Sequence, residues 1–291
     1  MRSSIVAFVP KYPELLDPDY EHMSHLDHIF GTGFIVGDSL IATNKHVIEE
    51  FAKLPKPESD PRLPVNAVFF TKTSGGMGIC LLNVNNATFI SKYHHSAGGF
   101  DYRTTLPDVG LVSVECTGLS KYRLVCDRSP VVAGTEIATA GFPLGSSLLA
   151  PNGRIERFGP VIQRGIVAAE SPYFGATPHA YLIDVMIQGG ASGSPVFRVD
   201  NGRVIGIVYA KHLEPTVAQT QDVQISIGLP TSFSYVVPSA VLFQLMDKAE
   251  AQMNQSIPTN AASIDEIIAS MPAVPVDQMT VGRHIPKPIS E

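Results

Sequence analysis

Twelve short apolar runs, broken by loops rich in proline, glycine, aspartate and serine, constrain this chain more than any other feature. One set comprises Ile5–Val9, Phe34–Ala42, Ala67–Phe70, Ile79–Leu82, Ala87–Ile90 and Val109–Val114. A second set comprises Glu136–Ala140, Gly159–Val167, Ala180–Ile187, Ser194–Arg198, Val204–Tyr209 and Gln224–Ser232. Runs of this length, alternating or continuous and bounded by turn residues, read as strands. The 24 glycines and 23 prolines suit many short strands joined by turns. The pattern predicts an all-β fold of two packed six-stranded antiparallel barrels, about 1–118 and 130–240, with Thr117–Ser129 as the crossover. Loops are expected at Pro55–Pro64, His94–Pro107, Gly145–Arg157 and Lys211–Gln221, and the glycines at 75, 76 and 78 read as a hairpin connection.

The C-terminal part changes character. Ser239 is placed to cap a helix running to Met253, with Leu242, Leu245 and Met246 as its packing stripe, closing the second barrel. This gives one unit over 1–245 and a tail over 246–291. Within the tail, Ser263 and Glu266 have capping-box spacing. Ile264, Ile267, Ile268 and Met271 follow at helical spacing, which predicts a short amphipathic helix near 263–271. A helix that short is unstable alone in water, so its apolar face is expected to dock on its own domain or on a regulatory partner protein.

The chemistry is concentrated in Gly189-Gly190-Ala191-Ser192-Gly193-Ser194-Pro195, just after a β-rich run. A nucleophilic serine needs a tight turn, absence of bulk and converging backbone N–H groups. Flanking glycines supply the backbone freedom and the space, and consecutive turn N–H groups make an anion-binding concavity. Thr43-Asn44-Lys45-His46-Val47 follows one apolar strand, and Pro107-Asp108-Val109 opens another. His46, Asp108 and Ser192 thus stand in that chain order, each at a strand edge. Those are the three residue types of a nucleophile, a general base and its orienting acid.

These segments resemble the trypsin/chymotrypsin-fold serine peptidases, and within them the HtrA/Deg type. Gly31-Thr-Gly-Phe-Ile-Val36 resembles the strand before the histidine, and Asp108-Val-Gly-Leu-Val112 the aspartate segment. Glu136 to Gly145 resembles the opening of the second barrel, and Val204-Ile-Gly-Ile-Val208 the strand that flanks a bound substrate. With Arg164–Val167 and Asp184–Phe197, the likeness runs from about Gly31 to Leu242. It implies a serine endopeptidase acting through an acyl-enzyme, with the N–H groups of Gly190 and Ser192 as the oxyanion hole and activation by ordering of the loops around it. It also implies a primary pocket walled by Met186, Ile187 and Gln188 on one side and Val208, Tyr209 and Ala210 on the other. No acid stands at Met186, where a trypsin-like enzyme holds the carboxylate for Lys or Arg, so cleavage after small or medium aliphatic residues is expected.

Three departures matter. Ala191 replaces the aspartate that trypsin-like zymogens pair with a new N-terminus, which argues against that activation route. Ser194 replaces a commoner glycine. Nothing in the tail resembles the PDZ domain that many HtrA/Deg proteases carry. Two rival readings remain beside the protease: a partner-gated effector of a cytosolic complex, and a pseudoprotease binding module, against which the intact set of three stands.

A net charge of −6 without a Lys/Arg block argues against nucleic acid as a partner, and no apolar run approaches membrane-spanning length. The N-terminal ten residues lack the features of a secretory signal. Three cysteines, Cys80, Cys116 and Cys126, offer no disulfide framework and point to a cytoplasmic protein with reduced thiols. No cofactor is implied. His22, His25 and His28, and the pair His94-His95, read as solvated loop histidines, so no metal site is expected. The substrate and the oligomeric state are open at this level.

Overall fold

The computed structural model describes residues 2–16, 28–73, 76–90, 107–144, 159–171, 178–219 and 224–270. The first barrel consists of β1 (Ile5–Pro10), β2 (Gly31–Ile35), β3 (Leu40–Thr43), β4 (Val65–Thr73), β5 (Gly76–Phe89) and β6 (Gly110–Val114). They close in the order β1-β2-β3-β6-β5-β4. The second consists of β7 (Glu136–Gly141), β8 (Val161–Ser171), β9 (Ala180–Ile183), β10 (Pro195–Arg198), β11 (Val204–Gln219) and β12 (Gln224–Pro238). They close in the order β10-β11-β12-β9-β8-β7. Both are antiparallel six-stranded barrels of the trypsin-like fold, as the twelve runs lead one to expect.

The strand periodicity explains the cores. On β1, Val6 and Phe8 point into the first barrel with Ile35, Ile41, Phe69 and Val112. The alternate residues Ile5, Ala7 and Val9 join a separate core between the barrels, with Phe34, Leu111, Phe142, Phe197 and Ile207. Both faces of β1 are therefore buried, which is why its sequence is continuously apolar rather than alternating. Ile137, Val167, Ile183, Val196 and Val236 fill the second barrel.

Several boundaries differ from the sequence reading, for physical reasons. Phe34–Ala42 is two strands joined by a turn, since Val36 N–H closes on Leu40 O at 2.9 Å. Ile79–Leu82 and Ala87–Ile90 are one strand, β5, whose register shifts between Val84 and Asn86. Lys211–Gln221 is not a loop, because β11 continues through it to Gln219. Helix α1 (Lys45–Phe51), which carries His46, had no periodicity long enough to reveal it. Helix α2 (Ser239–Gln255) is not confined to the second barrel. It touches β3, β5 and β6 as well as β11 and β12, and its Val241, Leu242, Leu245, Ala249 and Met253 join the core between the barrels. Its cap is Pro238, while the Ser239 hydroxyl donates to Asp127 O.

The tail helix α3 (Ile264–Ser270) lies on the first barrel. Thr117 N–H donates to Ala262 O at 3.1 Å and Ile264 N–H to Thr117 O at 2.8 Å. Ile264 is fully buried in the first-barrel core, with Ile267 and Ile268 packed against it. The capping box is formed: Ser263 N–H donates to Glu266 Oε2 at 2.8 Å, and Glu266 N–H returns to Ser263 Oγ at 3.3 Å. Met271, Gly75, His22, His25, His94 and His95 lie outside the described residues, as do most of the expected loops His94–Pro107 and Gly145–Arg157.

Candidate active site

Strand pairing delivers two of the sequence-predicted residues to one place. β3 pairs with β6 so that Thr43 faces Gly110. His46 lies in the first turn of α1, directly after β3, and Asp108 lies directly before β6. The Asp108 carboxylate accepts twice from His46: Oδ1 from the backbone N–H at 3.0 Å and Oδ2 from ring Nδ1 at 2.5 Å. The first bond satisfies an orphan N–H at the start of α1, so the carboxylate caps the helix and orients the ring at once. Asn44 Nδ2 donates to Asp108 O at 2.7 Å and fixes the acid's backbone. A proton on Nδ1 leaves the lone pair on Nε2, on a ring whose side chain is 42% exposed.

Ser192 comes from the other barrel, on the turn between β9 and β10. Thr32 of β2 ties that turn to the first barrel. Its N–H donates to Ser192 O at 2.8 Å, and its hydroxyl donates to Gly190 O at 2.7 Å while accepting from Phe142 N–H at 3.1 Å. Thr43, three residues before His46, donates its hydroxyl to Thr32 O at 2.7 Å. The contact is so close that a Cβ on Gly193 would lie 1.9 Å from Thr32 O and 2.4 Å from Thr43 Oγ1. Gly193 also has φ +89°, so glycine is required twice over. The Ser194 departure is accommodated in the same way. Its buried Oγ occupies the space where a Cβ on Gly141 would sit, 1.9 Å away.

The peptides before the serine are held from outside. Gly189 O accepts from Leu144 N–H at 2.6 Å, and Ala191 N–H closes a turn onto Gln188 O at 3.1 Å. Leu144 itself has φ +56°, a left-handed conformation that costs a leucine about 1–2 kcal/mol. Among the described residues, the N–H groups of Gly190 and Ser192 donate to no protein acceptor, and Ser192 Oγ makes no hydrogen bond to His46. Thr32, Asn44 and Leu144 lie in segments that the sequence singles out, but their bonds to the acid and to the serine turn are not written there. Only the glycines bracketing Thr32 hinted that a second chain segment presses against it.

The six residues expected to wall a pocket divide. Val208 is fully buried and braces the turn, with its N–H on Ser194 O at 2.9 Å and its carbonyl accepting from Gly193 N–H at 3.0 Å. Ile187 is buried among Val185, Ala191 and Ile205 in the second barrel. Neither side chain is free to line an open cleft. Tyr209 sits where the β11 register shifts, between Val208 and Ala210, and its ring packs on the core between the barrels. Burial, then Tyr235, then Asp108 push its hydroxyl pKa up. Met186 is 41% exposed, Gln188 and Ala210 are half-buried, and Gln163 Nε2 holds Met186 O at 3.0 Å. Tyr235, 6.0 Å from Tyr209 ring to ring, is a neighbour that the sequence did not single out.

Burial drives the three thiols upward, Cys80 to about 11 and Cys116 and Cys126 to about 12, so they are protonated hydrophobes at neutral pH. Among the described residues, no group of three or more His, Cys, Asp or Glu side chains is arranged to hold a metal ion. No helix there is long and apolar enough to cross a membrane.

The family model of the trypsin-like peptidase domain matches residues 31–207. With the two closed barrels, this places the chain in the trypsin-like peptidase family, which supports a serine peptidase. No curated protein matches the sequence significantly. Among solved structures, the chain is similar to an HtrA-type protease with a tripeptide, at 13% identity and a TM-score of 0.46, covering 85% of this chain. The likeness spans 60% of that protease's own length. It is also similar to HBP solved at atomic resolution, at 14% identity and a TM-score of 0.48, covering 86% of this chain and 92% of that one.

Proposed function

We propose that the chain is a serine endopeptidase of the HtrA/Deg kind in which Ser192, His46 and Asp108 act together. The reading rests most directly on one observation, the 2.5 Å pairing of His46 Nδ1 with Asp108 Oδ2, which leaves Nε2 as a base. His46 takes the proton of Ser192 Oγ as the oxygen attacks the peptide carbonyl, then returns it to the leaving amine, and water resolves the acyl-enzyme by the same route. Asp108 stabilises the imidazolium. The unpaired N–H groups of Gly190 and Ser192 receive the oxyanion, a contribution of about 2.7–4 kcal/mol per donor. The Leu144–Gly189 and Thr32–Gly190 bonds hold that turn, so a partner or loop rearrangement that breaks either one switches the hole off.

Substrate preference follows from the absence of an acid at Met186. Small or medium aliphatic side chains fit beside Met186, Gln188 and Ala210, whereas a buried cation there lacks a counter-charge. That Cys80, Cys116 and Cys126 form no disulfide suits a reducing, cytoplasmic setting, and the docked tail helix offers a surface for a regulatory partner.

The test is labelling with a fluorophosphonate probe, with and without cell lysate, on native protein and Ser192→Ala. Labelling of native protein alone is expected, with cleavage lost by about 10⁶-fold in Ser192→Ala. Equal labelling of both proteins would refute the nucleophile. Labelling of neither, in either condition, would leave a pseudoprotease.

A further inference from the structure

A lysine stands on the inward face of the second barrel, at its mouth. Val208 pairs with Val236 and Lys211 with Ser234, and directly opposed residues share a face. Val208 and Val236 belong to the second-barrel core. Ser234 is fully buried, opposes the core residue Ile183 of β9, and donates its hydroxyl to Val185 O at 2.6 Å. Lys211 therefore emerges on the face where the chain passes from Val185 through Met186 to Ser192. Past this pair β9 stops, and β11 and β12 run on as a two-stranded ribbon. Lys211 is accordingly exposed although it shares a face with core residues.

The charge has no counter-ion. Among the described residues nothing pairs with the Lys211 ammonium. Val185–Ala191, Val208–Leu213 and Thr231–Val236, the segments around this face, contain no Asp, Glu or Arg, and Lys211 is their one lysine. A chain that carries −6 thus turns a lone cation toward the serine. On the side away from β12, β11 pairs with β10 only as far as Ile207 with Pro195, and the serine turn bonds Val208. Past Val208 no described strand takes that edge. A substrate strand added there, antiparallel like every other pair in the barrel, runs toward Ser192. Its residues before the cut bond then pass Lys211, which is three residues, about 10 Å, beyond Val208.

We propose that Lys211 selects polypeptides that carry an aspartate or glutamate at the second or third position before the cut bond. The inference rests on the peptidase reading above and names the substrate class which that reading leaves open: acidic segments cut after an aliphatic residue. The ammonium donates to the substrate carboxylate at the barrel mouth. Solvent reaches that pair, so it supplies discrimination and faster encounter more than tight binding. Lys211 is a specificity residue and takes no part in the bond-making steps.

Peptidyl phosphonates ending in valine, with Glu, Gln or Lys at the second or third position, test this on native protein, Lys211→Glu and Lys211→Arg. Each labelling rate is divided by that of a simple fluorophosphonate on the same protein, which removes differences in the serine's own reactivity. In native protein the Glu peptide is expected to outpace the Lys peptide about fivefold or more. The ratio should shrink in about 1 M salt, where the screening length falls to about 3 Å. Lys211→Arg should keep the order and Lys211→Glu should invert it. The proposal is overturned by equal rates for Glu and Lys peptides in native protein, or by a Glu preference that survives Lys211→Glu. It is overturned too if the simple probe labels and no peptide does. Failure of the simple probe on native protein, with and without lysate, defeats the peptidase reading itself, and the role of Lys211 with it.

Discussion

The two barrels have the same strand number but are covered differently. In the first, β1, β2, β3 and β6 are buried at every position. In the second, β8 alternates between half-buried and exposed along its first six residues, and Ile162 and Ile166 meet solvent. The first barrel is wrapped by the inter-barrel core and by helices, whereas among the described residues no helix or strand layer lies over the outer face of β8. Groups that need fixed geometry, His46 and Asp108, stand on the covered barrel. Ser192, the proposed nucleophile, stands on a glycine turn of the open one. Thr32 and Gly193 join the two, and the division of labour is only as good as that join.

The severest way to break the join is Gly193→Ala. The new methyl would overlap Thr32 O at 1.9 Å in a backbone conformation that alanine rarely adopts. The barrels would have to separate or the turn refold, with an expected loss of at least about 3 kcal/mol. Denaturant unfolding of Gly193→Ala measures it. A loss under about 1 kcal/mol would mean that the turn is not pressed against the first barrel.

Thr32→Val sharpens the same comparison at lower cost. It keeps the shape but removes the hydroxyl's bonds to Gly190 O and Phe142 N–H, at about 1–3 kcal/mol in all. If Gly190 serves the oxyanion hole as proposed, probe-labelling rate should fall by about tenfold to a hundredfold. Thr32→Ser, which keeps the hydroxyl, should recover most of that rate. Equal rates in Thr32→Val and native protein would detach the turn's geometry from this bond.

Both barrels were legible from sequence because most strands bury at least one face, and burial writes a periodic or continuous apolar run. The ribbon was not, because exposed Glu214, Pro215 and Thr216 look like loop residues when no core selects against them. His46 and Asp108 could be picked out because each stands at the edge of an apolar strand, and the structure pairs them; Ser192 was singled out by its glycine-flanked turn. Thr32 and Leu144 act through groups more than forty residues away in sequence, and no local pattern records such a partner. Which of the expected pocket residues are buried was not legible, because the facing of Val208 depends on strand register and Ile187 lies beyond the end of β9, where no periodicity sets it.

The smallest effect is expected where the tail meets the covered barrel. Lys121 Nζ pairs with Asp265 of α3, but the two side chains are 41% and 74% exposed. The hydrogen bond to Asp265 raises the lysine pKa. Its contribution is therefore fully present below the ordinary lysine value and is lost as pH rises through the raised folded one. Solvent screens such a pair heavily, whereas Ile264 beside it is fully buried. Lys121→Met should thus leave the neutral-pH unfolding midpoint within error of native, and any small deficit should vanish at strongly alkaline pH. A clear drop at neutral pH would place the tail's attachment in the ion pair instead of in Ile264 and the Thr117 backbone bonds.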